Sequence, residues 1–227
     1  MIDVLFDEES INKKFNIRLA ERPVVPVAEM EYESIEVPGR HGSLTRKIGY
    51  RSKPFSLKFN YIDINGAKPK YRDIVNWLTN KRKIHFSDDK DYYRVIQQMN
   101  PVDAENDIRE YADFVVEMIT EPFWYKDHGI QLITQKTTLQ NPSVIETSLK
   151  LTVYGDGICR VRVNDNQMVF TDVQGHITID RGTAHRNGIN QDNKMSGHYP
   201  IFLPGNNEIE IGGSTRKVDI EVRWCWR

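Results

Sequence analysis

With 227 residues, 39% hydrophobic and 28% charged side chains, the chain has the composition of a globular protein and room for two domains that each bury a core, which excludes disordered and fibrous classes. Its formal net charge of −1 is evenly spread, 20 basic against 22 acidic side chains over residues 1–127 and 11 against 10 over 128–227, which argues against tight, sequence-independent binding of nucleic acid. No stretch approaches the roughly 20 apolar residues that a membrane-spanning helix requires.

The N-terminus, Met1-Ile2-Asp3-Val4-Leu5-Phe6-Asp7-Glu8-Glu9, has no basic region and no long apolar core, so the sequence predicts a protein made and kept in a cytosol. Ile35 and Val37 show strand alternation leading into Val37-Pro38-Gly39-Arg40-His41-Gly42-Ser43-Leu44. Proline presets φ for a turn, and Gly39 and Gly42 accept the positive φ of a tight reversal, so two strands are expected to meet here. From Val37 to Ile62 six basic residues, Arg40, Arg46, Lys47, Arg51, Lys53 and Lys58, stand without an acid. They predict either a solvated hairpin face or a one-signed strip. Such a strip would meet an acidic one on a neighbouring copy, for instance Glu29, Glu31 and Glu33, and set its register.

Phe55, Leu57, Phe59 and Tyr61 alternate with Ser56, Lys58 and Asn60, the period of a half-buried strand. Asp63-Ile64-Asn65-Gly66 is expected to be a turn. As a calcium loop it would put Tyr61 and Arg72 at the first and last ligand positions, where neither supplies a carboxylate. Tyr71, Ile74, Val75 and Leu78 fall at helical spacing with Pro69 near the start, predicting one short helix near 70–80 whose Trp77 packs as core. Ile84-His85-Phe86, a polar turn and Tyr92–Ile96 predict two more strands, and Phe114, Val116 and Met118 another.

Residues 126–142 break the pattern and mark a boundary, after which only strands and turns are expected. Leu149, Leu151 and Val153 alternate up to Tyr154-Gly155-Asp156-Gly157, predicted as a hairpin reversal, and Asn164-Asp165-Asn166 predicts a second one leading to Met168-Val169-Phe170. Separate strands are expected at Ile177/Ile179, at Ile209/Ile211 and from Val218 to Trp226, with residues 181–198 as a surface loop. Parity puts Cys159 with Val161 and Val163 but Cys225 opposite Val222 and Trp224, so free thiols are expected. The same parity puts Trp224 and Trp226 in the core, the alternative being a platform for stacking sugars.

Six histidines include no pair at i, i+4, and the nearest metal-like group, His176, His185 and His198 with Asp180, has no fixed geometry. Nucleophile elbow, phosphate loop and dinucleotide fingerprint are missing, so the residues point to no enzyme, no cofactor and no metal.

Taken in order, the turn from Val37 to Gly42, the strand after it, Trp77-Leu78, Tyr92-Tyr93, Pro122-Phe123, Asn141-Pro142, Gly155-Asp156-Gly157, Ile177-Thr178-Ile179-Asp180 and Leu203-Pro204-Gly205-Asn206-Asn207 resemble the distal tail proteins of long-tailed, non-contractile bacteriophages. The resemblance implies a mainly β chain. Residues 1–130 would form an N-terminal β-barrel-like or split-barrel domain with one short α-helix, and residues 131–227 a galectin-like antiparallel β-sandwich. It further implies a homohexameric ring at the virion tail tip, assembled in the bacterial host cytoplasm. Tail-tube protein would stack on one side and the tail-associated fibre or lysin protein on the other. Receptor-binding proteins attach in some relatives, DNA passes only as cargo, and no membrane is involved. The alternative is a carbohydrate-binding adhesion module acting through the C-terminal sandwich.

Overall fold

Period-two alternation drives most of this chain into antiparallel strands, and two separate apolar clusters show where they bury their faces. The computed structural model describes residues 2–39, 41–101, 105–108, 110–180 and 182–227. One unit comprises the residues up to Tyr125 together with Arg227, the other those from Lys126 to Trp226.

The first unit contains, in order, β1 (Val4–Phe6), β2 (Glu9–Ser10), α1 (Ile11–Phe15), β3 (Ile17–Leu19), β4 (Glu29–Glu36), β5 (Ser43–Arg51), β6 (Lys53–Ile62), α2 (Ala67–Leu78), β7 (Lys83–Phe86), β8 (Asp89–Pro101), β9 (Glu105–Ile108) and β10 (Tyr111–Thr120). β6 pairs with β10 from Lys53↔Thr120 to Ile62↔Tyr111, and β3 flanks β6 on its other side. β8 joins two neighbours, pairing with β7 through its first half and with β10 through its second. The resulting antiparallel order is β2-β1-β7-β8-β10-β6-β3, rolled around one core.

The alternating residues of β6 supply that core as their spacing predicts: Phe55, Leu57, Phe59 and Tyr61 are all buried. Phe59 lies opposite Phe114 in the ladder and stacks on it at 5.4 Å. Truncating either ring to alanine removes about 3–5 kcal/mol. α2 places Ile74 and Leu78 on the same core. It starts where Asp63 Oδ1 accepts from the Asn65 N–H at 2.9 Å, a turn that holds the Asp63 carboxyl below its usual range, with help from Lys70. It ends at Thr79, whose hydroxyl donates to the Val75 carbonyl.

Two expectations need correction here. A second helix, α1, precedes β3: Ser10 Oγ caps it by accepting from the Lys13 N–H at 2.9 Å, and Asn16 closes it after five residues with a left-handed φ of 51°. Trp77 packs against the core as expected but is only half-buried. Its ring meets Phe6 and Phe15 edge-on while its Nε1–H reaches out to Glu9 Oε2 at 2.7 Å.

The second unit begins within β11 (Trp124–Ile133) and continues with β12 (Thr137–Asn141), β13 (Thr147–Val163), β14 (Asn166–Asp180), β15 (Thr183–Arg186), β16 (Ile189–Asn190), a 3₁₀ turn at Asp192–Lys194, β17 (Met195–Gly197), β18 (Ile201–Phe202) and β19 (Gly205–Trp226). The Asn164-Asp165 reversal joins β13 to β14 as expected, with Asn164 at φ 53°.

The reversal expected at Gly155-Asp156-Gly157 does not occur. β13 runs straight through it, and the short strands expected at Met168 and Ile177, and at Ile209 and Val218, are likewise the two ends of single strands, β14 and β19. Glycine serves a bulge here: the register of β13 shifts between Gly157 and Cys159 against β14, and between Tyr154 and Cys159 against β19. Gly155 faces Gly175 on one side and Thr215 on the other, so the three strands are irregular at the same level. Their two ends line one core, from Leu149, Leu151 and Val153 to Val161, Val163 and Ile209, as the two layers of a sandwich do.

Of the loop expected at 181–198, the described residues 182–198 are not simply a loop. Asn187 and Gly188, at φ 49° and 79°, turn β15 into β16, and β17 returns to pair with β14. Cys159 and Cys225 are both free and buried. Cys225 does not face solvent opposite Trp224, because Thr147 Oγ1 lies 3.3 Å from its Sγ and Ser143 hydrogen-bonds its carbonyl.

Candidate functional site

β4 and β5 pair only with each other among the described residues, forming a two-stranded hairpin between β3 and β6 in the chain. Gly39 and Gly42 at the tip both have positive φ, at 81° and 79°, which is why Pro38-Gly39 and Gly42 can close it. Arg40 lies outside the described residues.

Register explains where its charges go. Residues directly opposite share a face, so Glu29/Arg51, Glu31/Gly49, Glu33/Arg46 and Ile35/Leu44 line one side, and Met30/Tyr50, Tyr32/Lys47 and Ser34/Thr45 the other. On the first side Glu33 meets Arg46 at 2.6 Å and Glu31 meets Arg51 at 3.6 Å, while Lys53 at the root reaches Glu29 at 2.5 Å. The acidic strip and three of the six basic residues, Arg46, Arg51 and Lys53, therefore pair within one chain, while Lys47 lies on the other side opposite Tyr32. Lys58 is separate, exposed on the outer face of β6. Exposed pairs of this kind contribute at most about 1 kcal/mol each.

What the sequence does not announce is the apolar exposure around these charges. Tyr32 is 57% exposed, Ile48 62%, and Val24 in the segment before β4 87%, with Val27, Ile35, Val37 and Leu44 exposed as well. A bulge between Glu31 and Tyr32 leaves Ile48 without an opposite residue. Ile35 lies in the expected strand, with Val37 just past its end, but the side expected to be buried is open to solvent. An isolated two-stranded ribbon is marginal in water, and clustered exposed apolar residues mark an interaction surface.

Other candidate chemistry is not assembled. Among the described residues no three His, Cys, Asp or Glu side chains converge as a metal site, and His176, His185, His198 and Asp180 do not form one. Trp224 is buried against Phe202, the rings stacked at 6.0 Å, so it offers no free face to a sugar; Trp226 is half-buried at the edge of the same core. No helix among the described residues is long and apolar enough to cross a membrane.

Neither the protein-family models nor the curated protein sequences give a match. The solved structures do. The crystal structure of the Dit protein of phage SPP1, described as a paradigm of the hub of the adsorption apparatus in phages infecting Gram-positive bacteria, superposes with a TM-score of 0.67 at 12% identity over 100% of both chains. The fold is that of a phage distal tail protein. A chain of the phage P2 baseplate in its activated conformation follows with a TM-score of 0.50 at 11% identity over 98% of each chain. The distal-tail fold accounts for the mainly β chain.

Proposed function

We propose that this chain is a structural hub of a phage tail tip. Six copies close into a ring through head-to-tail contacts that the hairpin makes on the next copy. Tail-tube protein stacks on one face of the ring and the tail-associated fibre or lysin protein on the other, while DNA passes through the lumen. Receptor-binding proteins are further candidates for the second unit. Assembly belongs to the host cytoplasm and the finished ring to the virion. The observation that carries this reading is the fold shared end to end with the SPP1 hub protein.

The hairpin supports the ring on physical grounds. A heterologous contact needs a protruding surface on one side of each subunit and a receiving surface elsewhere. A ribbon with solvent on both faces gains most from being covered, and an obligate contact of this type buries about 2,000 Å² or more. Because the acidic residues of the hairpin are paired within the chain, Tyr32, Ile48, Val24 and Val27 supply the driving force and the ion pairs keep the ribbon soluble until it docks. Mass photometry and negative-stain images of the purified protein, alone and with tail-tube protein, test it. Sixfold particles with a central hole are expected, and monomers under both conditions would reject the reading.

A further inference from the structure

The hairpin is joined to β3 through residues 20–28, a segment in which Pro23 and Pro26 remove two N–H donors, and which belongs to no strand. Such a segment cannot be fixed by a ladder, so something else must aim it. Arg94 in β8 does so from inside the unit. Its side chain is 1% exposed, its Nη2 donates to the Pro26 carbonyl at 2.5 Å, and its Nη1 points to Thr120 Oγ1 at 3.4 Å. The guanidinium lies over the Trp124 ring at 4.7 Å, and Nε is buried without a hydrogen-bond partner.

No carboxylate is among these contacts. Burial alone pushes this group down to about 10, which leaves it a cation at neutral pH. A buried cation held by a carbonyl, a hydroxyl and a ring, with Tyr125 near it, is costly to a fold, and an apolar residue of the same volume would serve the core better. Its placement makes sense for a rigid fork that grips one point of a chain with no ladder. A second guanidinium repeats the arrangement: Arg227, which groups with this unit, donates to the Ala28 carbonyl at 3.1 Å and lies over Tyr50 in the first rungs of the hairpin. Tyr50 in turn meets Phe123 edge-on at 4.8 Å.

We infer that Arg94 is the mount of the hairpin, a positioning residue whose grip on the Pro26 carbonyl sets the direction in which β4 and β5 project. Its importance for the ring rests on the proposed function, but the mounting itself does not. Hydrogen exchange followed by mass spectrometry tests it on the full chain. In Arg94→Met, amides of residues 22–36 and 43–51 exchange about tenfold faster or more, while peptides from β10 and β13 keep their wild-type rates. Arg94→Lys, which keeps the charge without the fork, falls between. Unchanged exchange in the hairpin overturns the inference. So does protection lost evenly across the first unit, since Arg94 would then be an ordinary core residue. If Arg94→Met does not accumulate as folded protein, Arg94→Lys gives the same two readouts. Wild-type protein that never forms rings rejects the ring and leaves the mount standing, whereas ring-forming protein whose Arg94 variants leave hairpin exchange unchanged does the reverse.

Discussion

Asn164 and Asn207 meet side chain to side chain, Asn164 Nδ2 donating to Asn207 Oδ1 at 2.8 Å. Asn207 is fully buried and uses every donor and acceptor it has. Its oxygen also accepts from the Leu203 N–H, and its amide donates to the carbonyls of Leu203 and Gly205. The bend at Leu203-Pro204-Gly205 is thus wound around one amide, next to the Asn164 turn. Asn207→Ala leaves several buried polar groups without partners and is expected to cost about 2–4 kcal/mol. Asn206→Ala next to it, on an exposed side chain, stays within about 0.5 kcal/mol. Calorimetry on both variants makes the comparison.

The bulge of β13 makes two glycines unequal. A Cβ on Gly155 would run into the Ser214 carbonyl and Cys159 Sγ, while one on Gly157 meets only Ser214 Oγ at an ordinary 3.9 Å but sits at φ 82°. Gly155→Ala is expected to cost about 3 kcal/mol through overpacking and Gly157→Ala about 1 kcal/mol through backbone strain alone. Urea midpoints that rank them the other way would contradict the continuous strand.

Because Glu33 and Arg46 pair within the hairpin, swapping them should matter little. The double variant Glu33→Arg with Arg46→Glu is expected to keep both stability, within about 1 kcal/mol, and ring formation. Ile48→Asp is expected to leave the melting temperature of the monomer unchanged and to abolish rings, since it charges an exposed apolar surface. Rings that survive Ile48→Asp but not the swap, in mass photometry, would move recognition from the apolar residues to the charges.

Glu9 reports on pH. The hydrogen bond from Lys81 at 2.9 Å, with that from Trp77, holds its carboxyl down at about 2, against 4.5 when unperturbed. A depressed carboxylate stabilises the fold above the unfolded value and loses that contribution as pH falls from 4.5 through about 2. The stability difference between wild type and Glu9→Gln should therefore be full at pH 6 and shrink toward pH 2, which urea titrations at the two ends would measure. A difference independent of pH would assign it to packing of Trp77 instead.

Period two and turn chemistry made β6, β10 and the Pro38–Gly42 reversal legible, because there the local pattern and the tertiary partner demand the same thing. Gly155 and Gly157 misled because turns and bulges want the same residues; only the neighbours on both sides, Gly175 and Thr215, separate the two. The β15–β16 hairpin was readable in Asn187-Gly188, the dipeptide that best fits two left-handed turn positions. At the hairpin the charges were visible but their mutual pairing was not, since a bulge at Ile48 sets which of them face each other. Arg94 carried no signal at all: one arginine in a strand looks exposed until Pro26 and Trp124 are brought to it.

β13, β14 and β19 each pass through both layers of the second unit without a break. A pull on one layer is therefore carried along peptide bonds into the other, and neither can peel away while its companion stays folded. If the chain is the tail-tip hub proposed above, such coupling between layers would suit a body that must stay whole under load.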